Sequence, residues 1–281
     1  NEVFHRSVGL NGVGTKAVNA LSSHFNVISY RDGKFVSATF SRGKLLDQKK
    51  GQDKSQLDGT YIEFIPDEEI FKKYKYEEDY IETRLWNYAY LNPGLTLNYN
   101  GRNYKSTKGL LDLLSKEVDG EELYSLIHYR GQYLEFALTH VANSYGENYF
   151  SYVNGQNTID GGTHLSAFKE GFLKAVNDHF KKTWSAQDVR EGILGAISVK
   201  IENPVFESQT KNKLGNTEIR GWIVQEVKDG VIDFLLKNPD EASSISSKIT
   251  HNEKLRKELN EVRKSSRSSA KRVALNIPKL K

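Results

Sequence analysis

Three glycines fall within six residues at Gly9-Leu10-Asn11-Gly12-Val13-Gly14, directly before an apolar pattern of helical period. Glycines at this spacing let the backbone turn tightly and approach a ligand without Cβ clashes. The free N–H groups at the start of the following helix favour an anion, and phosphate is the natural one. An ordinary glycine-rich turn before a helix would read the same way. Two better-known nucleotide loops do not fit. A P-loop needs lysine directly after its second glycine, then Ser or Thr, whereas here Gly14 is followed by Thr15 and then Lys16. Dinucleotide and kinase loops space their glycines G-x-G-x-x-G, the reverse of this order. With no cysteine in the chain, disulfides, thiolate metal sites and cysteine nucleophiles are excluded.

The elements that must carry this loop are partly legible. Apolar spacing predicts a helix over Thr15–Phe25. Strands are expected at Asn26–Tyr30 and Lys34–Phe40 around the turn Asp32-Gly33, then at Tyr61–Ile65, with a polar loop over Gly43–Asp58 between them. A helix over Glu77–Leu91 ends at Asn92-Pro93-Gly94, a hairpin turns at Asn100-Gly101, and Gly109–Val118 reads as a short helix. Polar residues at Val118–Glu122 suggest a boundary that divides the chain into 1–120 and 121–281. Beyond it, strands are expected at Leu134–His140, Asn148–Val153 and Ala196–Ile201, and helices at Thr163–Lys182 and Glu218–Asn238. Pro239 interrupts, and a long helix follows over Asp240–Lys271. Its narrow stripe of Leu255, Leu259 and Val262 suits packing against one partner. Ser265–Ser269 should be its weak point.

The chain of 281 residues is 37% hydrophobic and 27% charged, a balance suited to a globular core. It contains no apolar run long enough for a membrane span and no signal peptide. It opens at Asn1, holds no methionine and enters the glycine loop within nine residues, so it is read as an internal fragment. Residues 248–281 carry 11 Lys/Arg against 3 Asp/Glu, a local balance of +8 in a chain whose net charge is +4. A basic end on an otherwise acidic body suits a surface facing phosphate, and equally a solvated charged helix.

Four ordered blocks carry a family resemblance. Ser7 to Ser22, which contains the glycine loop, resembles the ATP lid of the B subunits of bacterial DNA gyrase and topoisomerase IV, the type IIA topoisomerases. Gly155 to His164, with Asp160-Gly161-Gly162-Thr163-His164 at its end, resembles that family's signature. Asp188-Val189-Arg190-Glu191-Gly192-Ile193 resembles its next helix start. Pro204 to Lys211 resembles the loop that sends a lysine into the ATP site. The short lid-to-lysine segment and the form of the lid look closer to topoisomerase IV than to gyrase. The Gln-Thr-Lys and Gly-Gly-Thr-His blocks argue against a MutL-like or Hsp90-like ATPase.

The resemblance implies an α+β fold. The first part would be the C-terminal portion of a GHKL-type (Hsp90-like) ATPase domain. A ribosomal-protein-S5-domain-2-like transducer with a long basic helix would follow. It further implies that Gly9, Leu10, Asn11, Gly12, Val13, Gly14 and Thr15 wrap the ATP phosphates, that Lys211 reaches the γ-phosphate, and that Gln209 also binds ATP. Thr60 would support the adenine pocket, with Arg31 at its mouth, and Lys211 is the one catalytic residue expected. Many relatives have histidine where this chain has Asn11, at little expected cost because backbone amides make the contact. The family's general-base glutamate, its Mg²⁺-binding asparagine and its adenine-binding aspartate lie upstream of the lid and have no counterpart here. No metal ligand is therefore assigned to this chain. Asp160, Glu191, Glu207 and His164 read as structural or capping residues. Lys254, Arg256, Arg263, Lys264, Arg267, Lys271 and Arg272 would touch the backbone of double-stranded DNA. The implied partners are that duplex, the topoisomerase A subunit and a second copy meeting at the ATPase gate. The implied setting is the bacterial cytoplasm, at the nucleoid. An alternative is a non-catalytic DNA-contacting module without ATPase activity of its own.

Overall fold

The computed structural model describes residues 12–275, with side chains as far as residue 267. The chain divides into two units, one ending at Glu82 and the other running from Thr83. The sequence-based boundary at residue 120 would instead leave residues 83–120 with the first unit.

In the first unit, Gly12 adopts a left-handed conformation (φ 59°) and leads into α1 (Val13–Ala20). Four strands follow: β1 (Ser22–Arg31), β2 (Lys34–Ser41), β3 (Lys44–Gln52) and β4 (Gly59–Pro66). They form an antiparallel sheet in the order β3-β2-β1-β4. Helix α1 is shorter than the expected Thr15–Phe25. Ser22 and Phe25 already pair with β4, opposite Pro66 and Phe64, so sheet pairing overrides the helical spacing.

The expected loop over Gly43–Asp58 is also corrected, because β3 occupies most of it. Its lysines hide the strand, and its turn is Arg42-Gly43 rather than an Asn-Gly or Asp-Gly signal. Both turn residues have positive φ (50° and 76°), the geometry that matches strand twist. The Arg42 guanidinium is held by Asp67 at 2.6 Å and Glu69 at 2.7 Å. Opposite Phe35, Gly51 leaves room for the aromatic ring, which would lie 2.6 Å from any Cβ there. Asp67 then caps the one-turn α2 (Glu68–Phe71).

The second unit begins within α3 (Glu78–Leu91) and continues through the hairpin β5 (Thr96–Tyr99)–β6 (Arg102–Lys105), turned at Asn100-Gly101 as expected. Helix α4 (Leu110–Val118) covers one face of a five-stranded sheet. The strands are β7 (Ile127–Arg130), β8 (Leu134–His140), β9 (Glu147–Val153), β10 (Gln156–Asn157) and β11 (Ile193–Val199), in the order β10-β9-β11-β8-β7. Strand β11 is central, parallel to β9 and antiparallel to β8. Its continuous buried run suits a strand covered on both faces. It starts three residues earlier than expected, directly after Gly192 (φ 81°).

Helices α5 (Thr163–Phe180) and α7 (Arg220–Lys237) cover the other face. They pack Phe168, Phe172, Val227 and Val231 against Phe136, Leu138 and Ile197. After the short α6 (Ala186–Arg190), the closing helix α8 runs from Pro239 to Leu275. Proline at its first position is tolerated because that N–H needs no helical partner. Ala242, Ile245 and Ile249 anchor α8 in the core, whereas Leu255, Leu259 and Val262 are exposed. The helix continues through Ser265–Ser269 without a break.

Candidate phosphate loop and lysine loop

Gly9, Leu10 and Asn11 lie outside the described residues. Gly12 is the N-cap of α1, and Val13, Gly14 and Thr15 form its first turn. Among the described residues no side chain caps this helix, and its first turn holds no acid. Nothing among the described residues lies within 4 Å of a Cβ built on Gly12 or Gly14. An exposed helix start with a left-handed glycine before it has the donors and the room that a phosphate needs. Thr60 is exposed near the start of β4, opposite Ser29, and Arg31 is exposed at the β1–β2 turn. The described lid residues Gly12–Thr15, with Thr60 and Arg31, belong to the first unit, whereas Gln209 and Lys211 belong to the second.

The lysine loop is more fully built. Lys211 N–H donates to Ser208 C=O at 3.0 Å, closing a four-residue turn. The Ser208 and Thr210 hydroxyls bond to each other at 2.7 Å. Lys211 follows in a left-handed conformation, φ 58°, which is uncommon outside glycine and asparagine. Around the turn, Glu207 N–H donates to Lys213 C=O and Gly215 N–H to Val205 C=O. A 2.9 Å ion pair joins Glu207 to Lys213. Residues 205–215 therefore form a closed excursion with Gln209 exposed near its tip.

The other singled-out residues have structural partners. Glu191 accepts from Gly146 N–H at 2.8 Å. His164 is buried at the start of α5, with Nε2 3.0 Å from the Thr158 hydroxyl, and burial lowers its pKa to about 4. It is neutral at physiological pH.

On α8, Arg256 forks onto Asp188 at 2.5 and 2.8 Å. Burial alone would raise the Asp188 carboxyl, but Arg256 and the Ser185 hydroxyl hold it below the usual range. Arg256 thus ties α8 to α6. Lys254 faces Glu258 one turn on, at 4.0 Å. Arg263, Lys264 and Arg267 are exposed, and the side chains of Lys271 and Arg272 lie outside those described. Sequence reasoning misses the Asp188–Arg256 fork, although Ser185-x-x-Asp188 is a readable capping pattern.

A family profile described as DNA gyrase B matches residues 107–265. The chain is 53% identical to the B subunit of DNA topoisomerase 4 from Borreliella burgdorferi, over 100% of this chain and 47% of that protein. Against the DNA gyrase B protein of the same organism it is 33% identical, over 97% of this chain and 46% of the relative. The 43K ATPase domain of Thermus thermophilus gyrase B, solved with an aminocoumarin, is 30% identical. It superposes with a TM-score of 0.74, covering 93% of this chain and 76% of that one. The topoisomerase IV ATP-binding domain of Francisella tularensis, solved with a small-molecule inhibitor, gives 0.74 at 28% identity, over 88% and 73%. The shared architecture is that of the ATPase region of type IIA topoisomerases, and the expected α+β, GHKL-type class holds. The chain belongs to the DNA gyrase B family. It spans about half the length of the curated relatives it matches.

Proposed function

We propose that this chain is part of the ATP-operated gate of a type IIA DNA topoisomerase. The observation that carries this reading is the lysine loop: a closed turn presenting Lys211 from a left-handed backbone, in a family whose relatives include ATPase domains. The lid N–H groups from Gly9 to Thr15 would wrap the β- and γ-phosphates, Lys211 would meet the γ-phosphate, and Gln209 would join the ATP site. A fixed cation there offsets charge developing on the phosphoryl oxygens. It also joins lysine loop to lid only while the γ-phosphate is present, an order-and-release switch. The domain boundary in this reading lies near residue 120, with the transducer beyond it. Thr60 would support the adenine. Mg²⁺ would be held by residues outside those assigned here; it usually takes only one or two protein ligands beside phosphate oxygens and water.

The whole protein, in this reading, works in the bacterial cytoplasm with an A subunit. ATP binding dimerises the gate around a DNA duplex and hydrolysis resets it. The greater identity to the topoisomerase 4 protein than to gyrase B of the same organism favours topoisomerase IV. The isolated 281-residue chain should show no ATP turnover.

Lys211→Ala in the intact protein should lower ATP turnover by about 100-fold, the usual cost of losing one transition-state donor. Turnover at the wild-type rate would contradict the role of Lys211. Neutralising Lys254, Arg263, Lys264 and Arg267 together should weaken DNA binding and flatten its salt dependence by roughly one unit of slope per lost phosphate contact. An unchanged salt slope would make distal α8 a solvated helix only.

A further inference from the structure

We propose that Gly162 is a positioning residue for Lys211, the segment Asp160–Thr163 acting as the seat on which the lysine loop is held. This rests on the reading of Lys211 given above. Three backbone hydrogen bonds join the seat to the returning arm of the loop. Asp160 N–H donates to Asn212 C=O at 3.0 Å, Leu214 N–H to Gly161 C=O at 3.1 Å, and Thr163 N–H to Leu214 C=O at 3.0 Å. Gly162 and Leu214 also form a parallel bridge. Lys211 directly precedes Asn212, the first residue of the stitched arm. Movement of the seat is therefore delivered straight to the lysine.

Only glycine permits this approach. Gly162 has φ 125° and ψ −160°, a region essentially closed to other residues. A Cβ there would lie 2.3 Å from the Leu214 carbonyl oxygen, 2.5 Å from its nitrogen and 2.9 Å from its carbonyl carbon. All three are backbone atoms, so no flexible side chain can step aside. Ordinary carbon contacts begin near ~3.5 Å, so alanine must push the arm away by about 1 Å. The neighbouring glycine differs. A Cβ on Gly161 would meet the Leu165 side chain at 2.7 Å, which can repack. The seat is itself rigid, because Leu214 C=O binds the first N–H of α5, an 18-residue helix buried along one face.

The test compares Gly162→Ala, Lys211→Ala and the double variant in the intact protein, reading ATP turnover and affinity for ADP. Gly162→Ala should lower turnover by about 100-fold, the cost of roughly 1 Å of misplacement, with ADP affinity unchanged because ADP lacks the γ-phosphate. The double variant should be no slower than Lys211→Ala. Should Gly162→Ala fail to fold, Thr163→Pro removes one stitching N–H at a helix position that accepts proline, and it should lower turnover in the same ADP-neutral way. Wild-type turnover in the seat variants beside a crippled Lys211→Ala overturns the positioning role. So does a parallel loss of ADP affinity, or a double variant slower than Lys211→Ala. Wild-type turnover in Lys211→Ala would instead overturn the lysine reading on which this proposal stands.

Discussion

The two larger sheets among the described residues are covered very differently. In the second unit, helices lie on both faces, and the sheet residues Phe136, Leu138, Ile197 and Val199 are fully buried. In the first unit, Tyr61, Ile62, Phe64 and Ile65 of β4 are 41–49% exposed. The sequences do not announce this difference, since β4, β8 and β11 are all apolar. What differs is the cover available within the described residues. Burial of apolar area is the main stabilising contribution, so the second unit should hold most of the stability. The first unit carries its conformational specificity in turns and caps, such as Arg42 with Asp67.

The comparison is open to direct attack, and core truncations should show the largest effect. Phe172→Ala, on the buried face of α5, should cost about 3–5 kcal/mol. Ile62→Ala, half exposed on β4, should cost about 1 kcal/mol or less. Urea unfolding midpoints measure both, and similar losses would erase the contrast.

Acid should produce a smaller effect confined to the second unit. His140 is buried with Nδ1 2.7 Å from the Tyr124 hydroxyl and Nε2 2.8 Å from Val189 C=O. Burial lowers both His140 and His164 to about 4, below the ordinary value near ~6.5. Above pH ~6.5 neither folded nor unfolded chain protonates them. As pH falls from there toward about 4, the unfolded chain takes up protons that the fold excludes. Stability should decline across that window by on the order of 1 kcal/mol per pH unit for each histidine. The three tryptophans, Trp86, Trp184 and Trp222, all lie in the second unit. Their fluorescence therefore follows its unfolding, and His140→Phe should flatten the acid limb. An acid limb that persists unchanged would remove His140 from the account.

Legibility follows the same physical division. Hairpins at Asp32-Gly33 and Asn100-Gly101 can be read because their turn chemistry is local. Helices α5 and α8 can be read because their apolar period is long. Strand β3 cannot: its lysines look like loop, and its pairing comes from β2. The four residues of β7 are too few for a period. At the site, the lid and the lysine loop are visible as blocks in sequence order. The reason for Gly162 is not, because Leu214 meets it only in the fold. Arg256 looks like one more basic residue until the fold sets Asp188 beneath it.

In the proposed gate, Lys211 distinguishes a nucleotide with a γ-phosphate from one without. The most direct measurement is the ratio of affinities for a non-hydrolysable ATP analogue and for ADP, in the intact protein and its Lys211→Ala variant. The variant should lose affinity for the analogue by at least about tenfold, the equivalent of one charge-assisted hydrogen bond, while ADP binds as before. An unchanged ratio would contradict it.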